Sequence, residues 1–270
     1  MKRVIIRFTT SVGLLLSLSA FGIADTAAGL QAMKNHDDAT AVREFQAGVD
    51  RGEADAEFNL GIMYARGLGV EKDIGMAWDL FQQAAAKGNA EAQFRLGLRS
   101  AQGWGVQQNF AEASKWYLRA ADQGDRYAEN GIASLYEEGF GVEQDYKMAV
   151  RYYMLSAQTG FAPAQFNLAQ LIEKGKGTKR DDAAAFQWYR KAAMQGMASA
   201  QDKLSEMFAR GQGVEASPEQ AYFWSTLAAK QHQKNAERRA QALASRLSTE
   251  DAARARKLAD AWKPVLTATR

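Results

Sequence analysis

The sequence repeats itself at a fixed interval of 36 residues. Five blocks align without a gap, and each contains two glycines separated by one residue and followed by Val or Thr; these tetrapeptides start at Gly67, Gly103, Gly139, Gly175 and Gly211. A phosphate-binding glycine loop follows a strand and precedes a Lys-Ser or Lys-Thr pair, and neither feature accompanies these glycines. Regular repetition at this interval is instead typical of a solenoid, in which each unit buries its apolar side against the next.

Each block predicts two α-helices. In the first block, Ala56, Leu60 and Tyr64 recur at intervals of four residues, and Ala77 and Phe81 show the same spacing in its second half. Residues spaced in this way share one face of a helix. The five blocks therefore predict an all-α fold built from antiparallel helix pairs, with block boundaries at 52–87, 88–123, 124–159, 160–195 and 196–231.

The glycine loop is the predicted connection between the two helices of a pair. Gly67 follows the first helix, where a left-handed residue is needed and glycine adopts that conformation without a steric penalty. Asp73 follows in the same block, and Asn, Asp or Ser occupies the same position in every later block. These are preferred N-cap residues, so we expect the second helices to begin after Asp73, Asn109, Asp145, Asp181 and Ser217.

One position of the second helix is aromatic in four of the five blocks. Leu80 of the first block is followed by Trp116, Tyr152, Trp188 and Trp224. Rings at a regular interval could stack on bases or sugars, but these rings belong to the apolar stripe of the helix. We therefore expect them to wedge between the helices of adjacent repeats.

With these features, residues 52–231 resemble the Sel1-like repeat, a relative of the tetratricopeptide repeat with a longer loop between its helices. The first block shares with that pattern Ala54, Ala56, Leu60, Gly61, Tyr64, Gly67, Gly69, Val70, Asp73, Ala77, Ala84, Ala85 and Gly88. The resemblance implies a right-handed α-solenoid. It also implies a non-enzymatic scaffold for protein–protein interaction, an adapter or regulator in envelope assembly, signalling or host interaction.

Residues 1–24 have the composition of a secretory signal peptide. Lys2 and Arg3 give a basic start, and the apolar run that follows is too short to span a bilayer comfortably. Small residues precede the predicted cleavage site after Ala24, and an uncleaved anchor is the alternative. We therefore expect a periplasmic or secreted protein without an integral membrane span after cleavage.

The segments on either side of the repeats are predicted caps that cover the apolar faces of the terminal repeats. Residues 25–51 match a repeat that has lost its glycine loop, with helices expected over 26–37 and 38–51. Residues 232–270 form a basic helical cap, in which Ser248 is the predicted N-cap of a last helix that ends before Pro264. This cap can meet an anionic surface, such as an acidic partner or lipopolysaccharide, and a solvated cap explains the same charges. Its candidate contact residues are Arg238, Arg239, Arg246, Arg254, Arg256 and Lys257.

The side of the first helices that lies opposite Ala56, Leu60 and Tyr64 is the predicted partner-binding surface, on the concave face of the solenoid. Its residues differ between blocks while their neighbours repeat, as expected for a surface that binds one protein or peptide, and equally for a free surface. The candidates are Asp55, Asn59, Arg66, Glu91, Arg95, Gln102, Tyr127, Glu138, Asn167, Gln170, Lys174, Lys203 and Arg210.

Two aromatic residues stand between the glycines of their loops. Trp104 and Phe140 occupy the position that Leu, Lys or Gln fills in the other blocks. Either they form an apolar patch for a partner, or they fold onto the next loop.

Catalysis has little support in the sequence. The chain has no Cys, and its two histidines, His36 and His232, are nearly two hundred residues apart, so we expect no thiol nucleophile, His-based dyad, metal site or cofactor. Adjacent carboxylates such as Glu137 and Glu138 point apart on a helix. The signal peptide accounts for the whole net positive charge, so a nucleic-acid partner is not expected. A hydrolase acting on cell-wall material or β-lactams, and a periplasmic inhibitor of a membrane sensor, are the alternatives to a scaffold.

Overall fold

The computed structural model describes residues 26–265, and every regular element in that range is an α-helix. The predicted signal peptide, residues 1–24, lies outside the described residues. Helix α1 covers residues 26–34. The others are α2 (Asp38–Asp50), α3 (Ala54–Arg66), α4 (Ile74–Ala86), α5 (Ala90–Gln102), α6 (Phe110–Ala121), α7 (Arg126–Glu138), α8 (Tyr146–Gln158), α9 (Ala162–Lys174), α10 (Asp182–Met194), α11 (Ala198–Arg210), α12 (Pro218–Lys230), α13 (Ala236–Ala244) and α14 (Thr249–Ala261). The described residues form two compact units, which divide between Arg99 and Ser100, and the contacts below lie within one unit or the other.

The helices follow the 36-residue period of the sequence. The first helices of the five repeats are α3, α5, α7, α9 and α11, and each starts 36 residues after the previous one. The second helices, α4, α6, α8, α10 and α12, keep the same interval. Within the second unit, α7 packs on α8 in one repeat, and α8 packs on α9 of the next. The predicted all-α fold of repeating helix pairs is confirmed.

The glycine loops cap the helices as predicted. Gly67, Gly139, Gly175 and Gly211 are the C-caps of their helices, with φ between 67° and 74°, the left-handed region that glycine enters without a Cβ clash. At every predicted N-cap the side-chain oxygen accepts a hydrogen bond from a backbone N–H of the first turn. These N-caps are Asp73, Asn109, Asp145, Asp181 and Ser217.

In four of the five loops, the second glycine contacts the helix pair that precedes it, which the sequence did not predict. A Cβ added to Gly141 would overlap the backbone of Phe110 and Ala111, at the start of α6. The loop therefore lies directly on the first turn of the preceding second helix, and only a residue without a side chain fits there. The same close approach occurs at Gly69 on Asp38, Gly177 on Tyr146 and Gly213 on Asp182.

The core lies on the predicted apolar faces of the helix pairs. Ala56 and Leu60 of α3 and Ala77 and Phe81 of α4 are buried, as are the residues equivalent to Ala56 and Leu60 in every later repeat. A Cβ added to Gly61 would lie 2.7 Å from the Phe81 ring, so this glycine allows α3 and α4 to pack closely. The aromatic position of the second helix is buried at Leu80, Tyr152 and Trp224 but only partly buried at Trp116 and Trp188.

Helices also occupy both flanking segments. In the first unit, Phe45 of α2 is completely buried in a cluster with Leu60 and Met63 of α3. In the second unit, α13 and α14 pack on α12, and Ser248 caps the start of α14. The chain then turns back, and the backbone N–H of Val265 donates a hydrogen bond to the carbonyl oxygen of Met194 at 2.8 Å. No helix within residues 26–265 is long and apolar enough to cross a bilayer.

Candidate functional site

In the first unit, the predicted partner-binding residues lie on α3 and α5. Arg66 and Glu91 are exposed. The carboxylate of Asp55 accepts a hydrogen bond from Nδ2 of Asn89 at 2.7 Å, and Nδ2 of Asn59 donates to the carbonyl oxygen of Asp55 at 2.7 Å. Asp55 and Asn59 therefore already have partners on this face, whereas Arg66 and Glu91 extend from it.

Arg95 packs on aromatic rings. Its guanidinium carbon lies 5.3 Å from the ring centroid of Phe58 and 5.4 Å from that of Phe81. Desolvation by these neighbours lowers the pKa of Arg95 below its ordinary value, although arginine retains its charge at neutral pH. Arg95 thus joins α5 to the preceding helix pair and is only partly available to a partner.

An aromatic cluster is exposed at the start of α7 in the second unit. Tyr127 is 42% exposed and packs edge-on against Phe161, with ring centroids 5.0 Å apart. The guanidinium carbon of Arg126 lies 5.0 Å from the centroid of the Tyr127 ring, and Nη2 of Arg126 donates to the tyrosine hydroxyl at 3.1 Å. The cluster offers a partner an aromatic surface bordered by a cation.

Two asparagine side chains meet on adjacent first helices. Nδ2 of Asn167 on α9 donates to Oδ1 of Asn130 on α7 at 3.2 Å, and both residues are partly exposed. Within residues 26–265, the amide donors of Asn130 and the amide oxygen of Asn167 make no other hydrogen bond. A peptide backbone carries the complementary acceptor and donor, so this pair has the chemistry to bind an extended main chain.

Four further candidates occupy one repeat position at the end of the first helices. They are the last residues of α5, α7, α9 and α11, and all are exposed: Gln102, Glu138, Lys174 and Arg210. Gln170 lies one turn earlier on α9 and is partly exposed. The side chain at this position is neutral at Gln102, negative at Glu138 and positive at Lys174 and Arg210, so the repeats offer different polar contacts.

Lys203 belongs to an ion-pair network that joins three helices. Its Nζ lies 3.0 Å from Oε1 of Glu173 and 3.5 Å from Oε2 of Glu206. Arg239 of α13 continues the network, at 2.8 Å from Glu206 and 3.1 Å from Asp202. Burial raises the pKa of Asp202 even though Arg239 opposes the shift. Lys203 therefore links α9 to α11, in addition to being on the predicted surface.

In the third and fourth repeats, the residue between the two glycines of the loop packs on the preceding repeat. Phe140, 48% exposed, stacks on Phe110 at the start of α6, with ring centroids 5.0 Å apart. At the same position of the next loop, Nζ of Lys176 lies 4.5 Å from the ring centroid of Tyr146, the first residue of α8. Phe140 thus contacts the preceding helix pair rather than the next loop, while Trp104 is 52% exposed.

A buried polar position on the first helices was not predicted. It holds an acid or an amide in every repeat, each at most 5% exposed: Glu57, Gln93, Glu129, Gln165 and Gln201. Each glutamine donates its Nε2 to the backbone carbonyl eight residues earlier, at the end of the preceding second helix. These bonds are Gln93 to Ala85 at 3.1 Å, Gln165 to Ala157 at 3.2 Å and Gln201 to Ala193 at 3.3 Å. In the sequence, this position is recognisable as a polar residue that recurs at one repeat position among apolar neighbours.

Glu129 is the member of this set without a compensating partner. Oε1 of Glu57 lies 2.6 Å from Nζ of Lys87, 30 residues later. The residue 30 positions after Glu129 is Thr159, whose hydroxyl donates to the carbonyl oxygen of Ser156 instead. Oε2 of Glu129 is buried without a hydrogen-bond partner among the described residues. Burial, and to a lesser degree Asp125, raises the pKa of Glu129.

Ion pairs already engage part of the predicted basic cap. Arg254 lies 2.9 Å from Glu219 and 2.6 Å from Asp251, and Arg239 belongs to the network described above. The other candidate cations of the cap are exposed: Arg238, Arg246, Arg256 and Lys257.

The histidines and acidic residues form no metal-binding cluster within residues 26–265. His36 and His232 lie in turns with φ of 57° and 55°, one in each compact unit.

The fold and its polar surface define a repeat scaffold of the tetratricopeptide-like class, an all-α solenoid of antiparallel helix pairs. The chain belongs to the Sel1 repeat family, whose repeat is matched by residues 54–89, 90–125, 126–160, 162–197 and 198–232. These matches start two residues after the blocks defined from the sequence.

Solved structures share this fold. A Sel1 repeat protein from Oxalobacter formigenes is 28% identical in sequence, with a TM-score of 0.75 over 90% of this chain and 99% of that protein. The protective antigen c5321 of uropathogenic Escherichia coli is 26% identical, with a TM-score of 0.59 over 90% of this chain and 61% of that protein. No curated protein matches the sequence significantly.

Proposed function

We propose that this protein is an exported, periplasmic scaffold that binds a protein or peptide partner along the exposed side of its first helices. The single observation that carries the proposal is the Asn130–Asn167 pair, in which the amide N–H groups of Asn130 and the amide oxygen of Asn167 make no hydrogen bond to the described residues and lie on a partly exposed surface. Membership of the Sel1 repeat family supports a role in protein–protein interaction.

The surface of the second unit suits an extended segment of a partner. The asparagine pair would hydrogen-bond its main chain, and the ring of Tyr127, 42% exposed, would pack against one of its side chains. Glu138, Lys174 and Arg210 occupy equivalent places in successive repeats and would select partner residues of opposite charge. When a partner binds as an extended segment, hydrogen bonds to its main chain supply the affinity. The charged positions would therefore mainly supply specificity.

A capture experiment tests the binding site. Purified protein is used to capture partners from an envelope extract of the native host, in parallel with Asn130→Ala/Asn167→Ala, Tyr127→Ala and the control Gln158→Ala, which changes an exposed residue at the end of α8. We expect one partner whose capture is lost in the first two variants and retained in the control. Partners captured equally by all the variants would refute the assignment of this surface.

Export is a separate part of the proposal and rests on the composition of residues 1–24. Expression of the full chain in a Gram-negative host should place the protein in the periplasmic fraction, with a mature N-terminus at Asp25 by mass spectrometry. An intact N-terminus in the cytoplasmic fraction would contradict export.

We also propose that the scaffold is not an enzyme. Its support is the absence of a metal-binding cluster among the described residues and the placement of the two histidines in separate units. Purified protein should leave muropeptides and nitrocefin intact. Hydrolysis that one carboxylate substitution abolishes would instead support the hydrolase alternative.

A further inference from the structure

Charge is unequally divided between the two sets of helices in the second unit. The second helices α6, α8 and α10 carry six Lys or Arg against two Asp or Glu, whereas the first helices α7, α9 and α11 carry four against six. The six cations of the second helices are all exposed: Lys115, Arg119, Lys147, Arg151, Arg190 and Lys191. We call these six residues the basic stripe.

Four of the six cations of the basic stripe are aligned by the repeat. Lys115 and Arg151 are 36 residues apart and occupy one repeat position, and Arg119 and Lys191 share another. Equivalent positions of successive repeats lie side by side in a repeat stack, so the cations are expected to form one continuous surface. The corresponding residues are not basic in the first repeat, Asp79 and Gln83, or in the fifth, Phe223 and Leu227, which confines the stripe to repeats 2–4.

Aromatic and aliphatic side chains accompany the cations. The guanidinium carbon of Arg119 lies 4.7 Å from the ring centroid of Trp116, and Nζ of Lys191 lies 3.9 Å from that of Trp188. Leu155, at the repeat position of Arg119 and Lys191, is 40% exposed. Partly buried indole rings beside Lys and Arg are characteristic of side chains at a membrane–water interface, where one part is apolar and the other is hydrated.

A cavity opens on the same surface between α8 and α10. Its volume is about 590 Å³, and its walls include Trp188, Arg190, Lys191 and Met194 of α10 together with Gln158 of α8. An indole and a thioether thus lie next to two cations. This combination suits a phosphate with an apolar group attached better than it suits a carboxylate side chain alone.

We propose that the basic stripe is a docking surface for a membrane that contains anionic lipids. Lys and Arg would bind the headgroup phosphates, while Trp116, Trp188 and Leu155 would enter the interfacial region. An acidic protein would contact the cations, but its carboxylates would gain little from the indole rings and the cavity. The proposal is independent of the protein-binding role, because that role uses the first helices, and it assigns anionic contact to the repeats rather than to the basic cap.

Vesicle sedimentation with the full chain tests the proposal. Vesicles of phosphatidylglycerol and phosphatidylcholine are compared with pure phosphatidylcholine vesicles at low salt. We expect binding to the anionic vesicles alone, weakened by added salt, and a blue shift of tryptophan emission on binding. Arg119→Gln/Lys191→Gln should weaken partitioning about 25-fold, given the usual contribution of each cation near an anionic surface.

Three matched double variants locate the contact. Lys147→Gln/Arg190→Gln removes two cations of the stripe that do not stack on tryptophan, and it should weaken binding as much as the first pair. Lys174→Gln/Arg210→Gln on the first helices and Arg238→Gln/Arg246→Gln on the cap remove the same charge and should change partitioning less than threefold. Circular dichroism checks the folding of each variant. The proposal would be overturned if the protein did not bind anionic vesicles, or if it bound an acidic protein without any affinity for vesicles. It would also be overturned if all the double variants lost vesicle binding equally, or if only the cap variant lost it.

Discussion

Replacement of Glu129 by Gln should stabilise the protein at neutral pH. The wild-type carboxylate is buried, and its Oε2 has no hydrogen-bond partner in the part of the chain that the structure describes. An amide at this position would donate to the carbonyl oxygen of Ala121, as Gln165 donates to Ala157 and Gln201 to Ala193 at 3.2 and 3.3 Å. The exchange removes one unsatisfied buried acceptor and adds one hydrogen bond, which predicts a gain of about 1 to 3 kcal/mol in the free energy of unfolding.

The gain should depend on pH with a definite sign. The pKa of Glu129 is raised in the folded state, chiefly by burial, so the folded protein favours the neutral carboxyl group. Below the ordinary pKa of a glutamate, the residue is neutral in both the folded and the unfolded state, and wild type and Glu129→Gln differ least. As the pH rises through the raised pKa, the wild-type protein loses stability relative to the variant.

Urea unfolding from pH 4 to pH 8, followed by circular dichroism, measures this difference. Glu57→Gln is the matched control. Glu57 occupies the same repeat position, and its Oε2 is likewise buried without a hydrogen-bond partner among the described residues, but its Oε1 lies 2.6 Å from Nζ of Lys87. Removal of that ion pair should cost about 1 kcal/mol rather than add stability. The explanation would be refuted if Glu129→Gln destabilised the protein at pH 7.5, or if its gain were the same at every pH.

Three other substitutions test the contacts between and within repeats by urea unfolding. Gly141→Ala should cost about 3 kcal/mol, because its methyl group would meet backbone atoms that cannot move aside. The control Gly124→Ala, with φ of +82° and open space around it, should cost only about 1 kcal/mol. Equal losses of stability in the two variants would argue against the close contact at Gly141. Asp145→Ala removes two N-cap hydrogen bonds, at 2.8 and 3.1 Å, and should cost about 1 kcal/mol; no loss would contradict the capping role. Arg239→Ala leaves the buried Oδ1 of Asp202 without its cation and should cost about 2 kcal/mol, with protection of amide hydrogens lost first in α13. Unchanged hydrogen exchange in α13 would contradict this role.

Local chemistry made much of the fold predictable from the sequence. The 36-residue period fixed the succession of helix pairs, and N-caps such as Asp73 and Ser217 were identifiable because capping involves residues only two or three positions apart. Helix-terminating glycines such as Gly67 were predictable for the same reason, since their left-handed conformation is a local requirement.

Contacts between repeats were harder to predict from the sequence. The role of Gly141 depends on the backbone of Phe110, which lies 31 residues earlier and approaches it only in the folded chain. The ion pair between Arg239 and Asp202 likewise joins residues 37 positions apart. A helical pattern shows which side of a helix is apolar but not which polar residues on the other side meet each other, so the Asn130–Asn167 pair could not be identified in advance.

The most direct test of the scaffold function is site-specific photocrosslinking in the native envelope. A crosslinkable amino acid replaces Gln170, on the proposed binding surface, or Gln158, at the end of α8. We predict a discrete adduct with one protein from position 170, absent from position 158 and lost when Asn130→Ala/Asn167→Ala is introduced alongside. No protein adduct from position 170, or the same adduct from both positions, would contradict a partner-binding surface on the first helices.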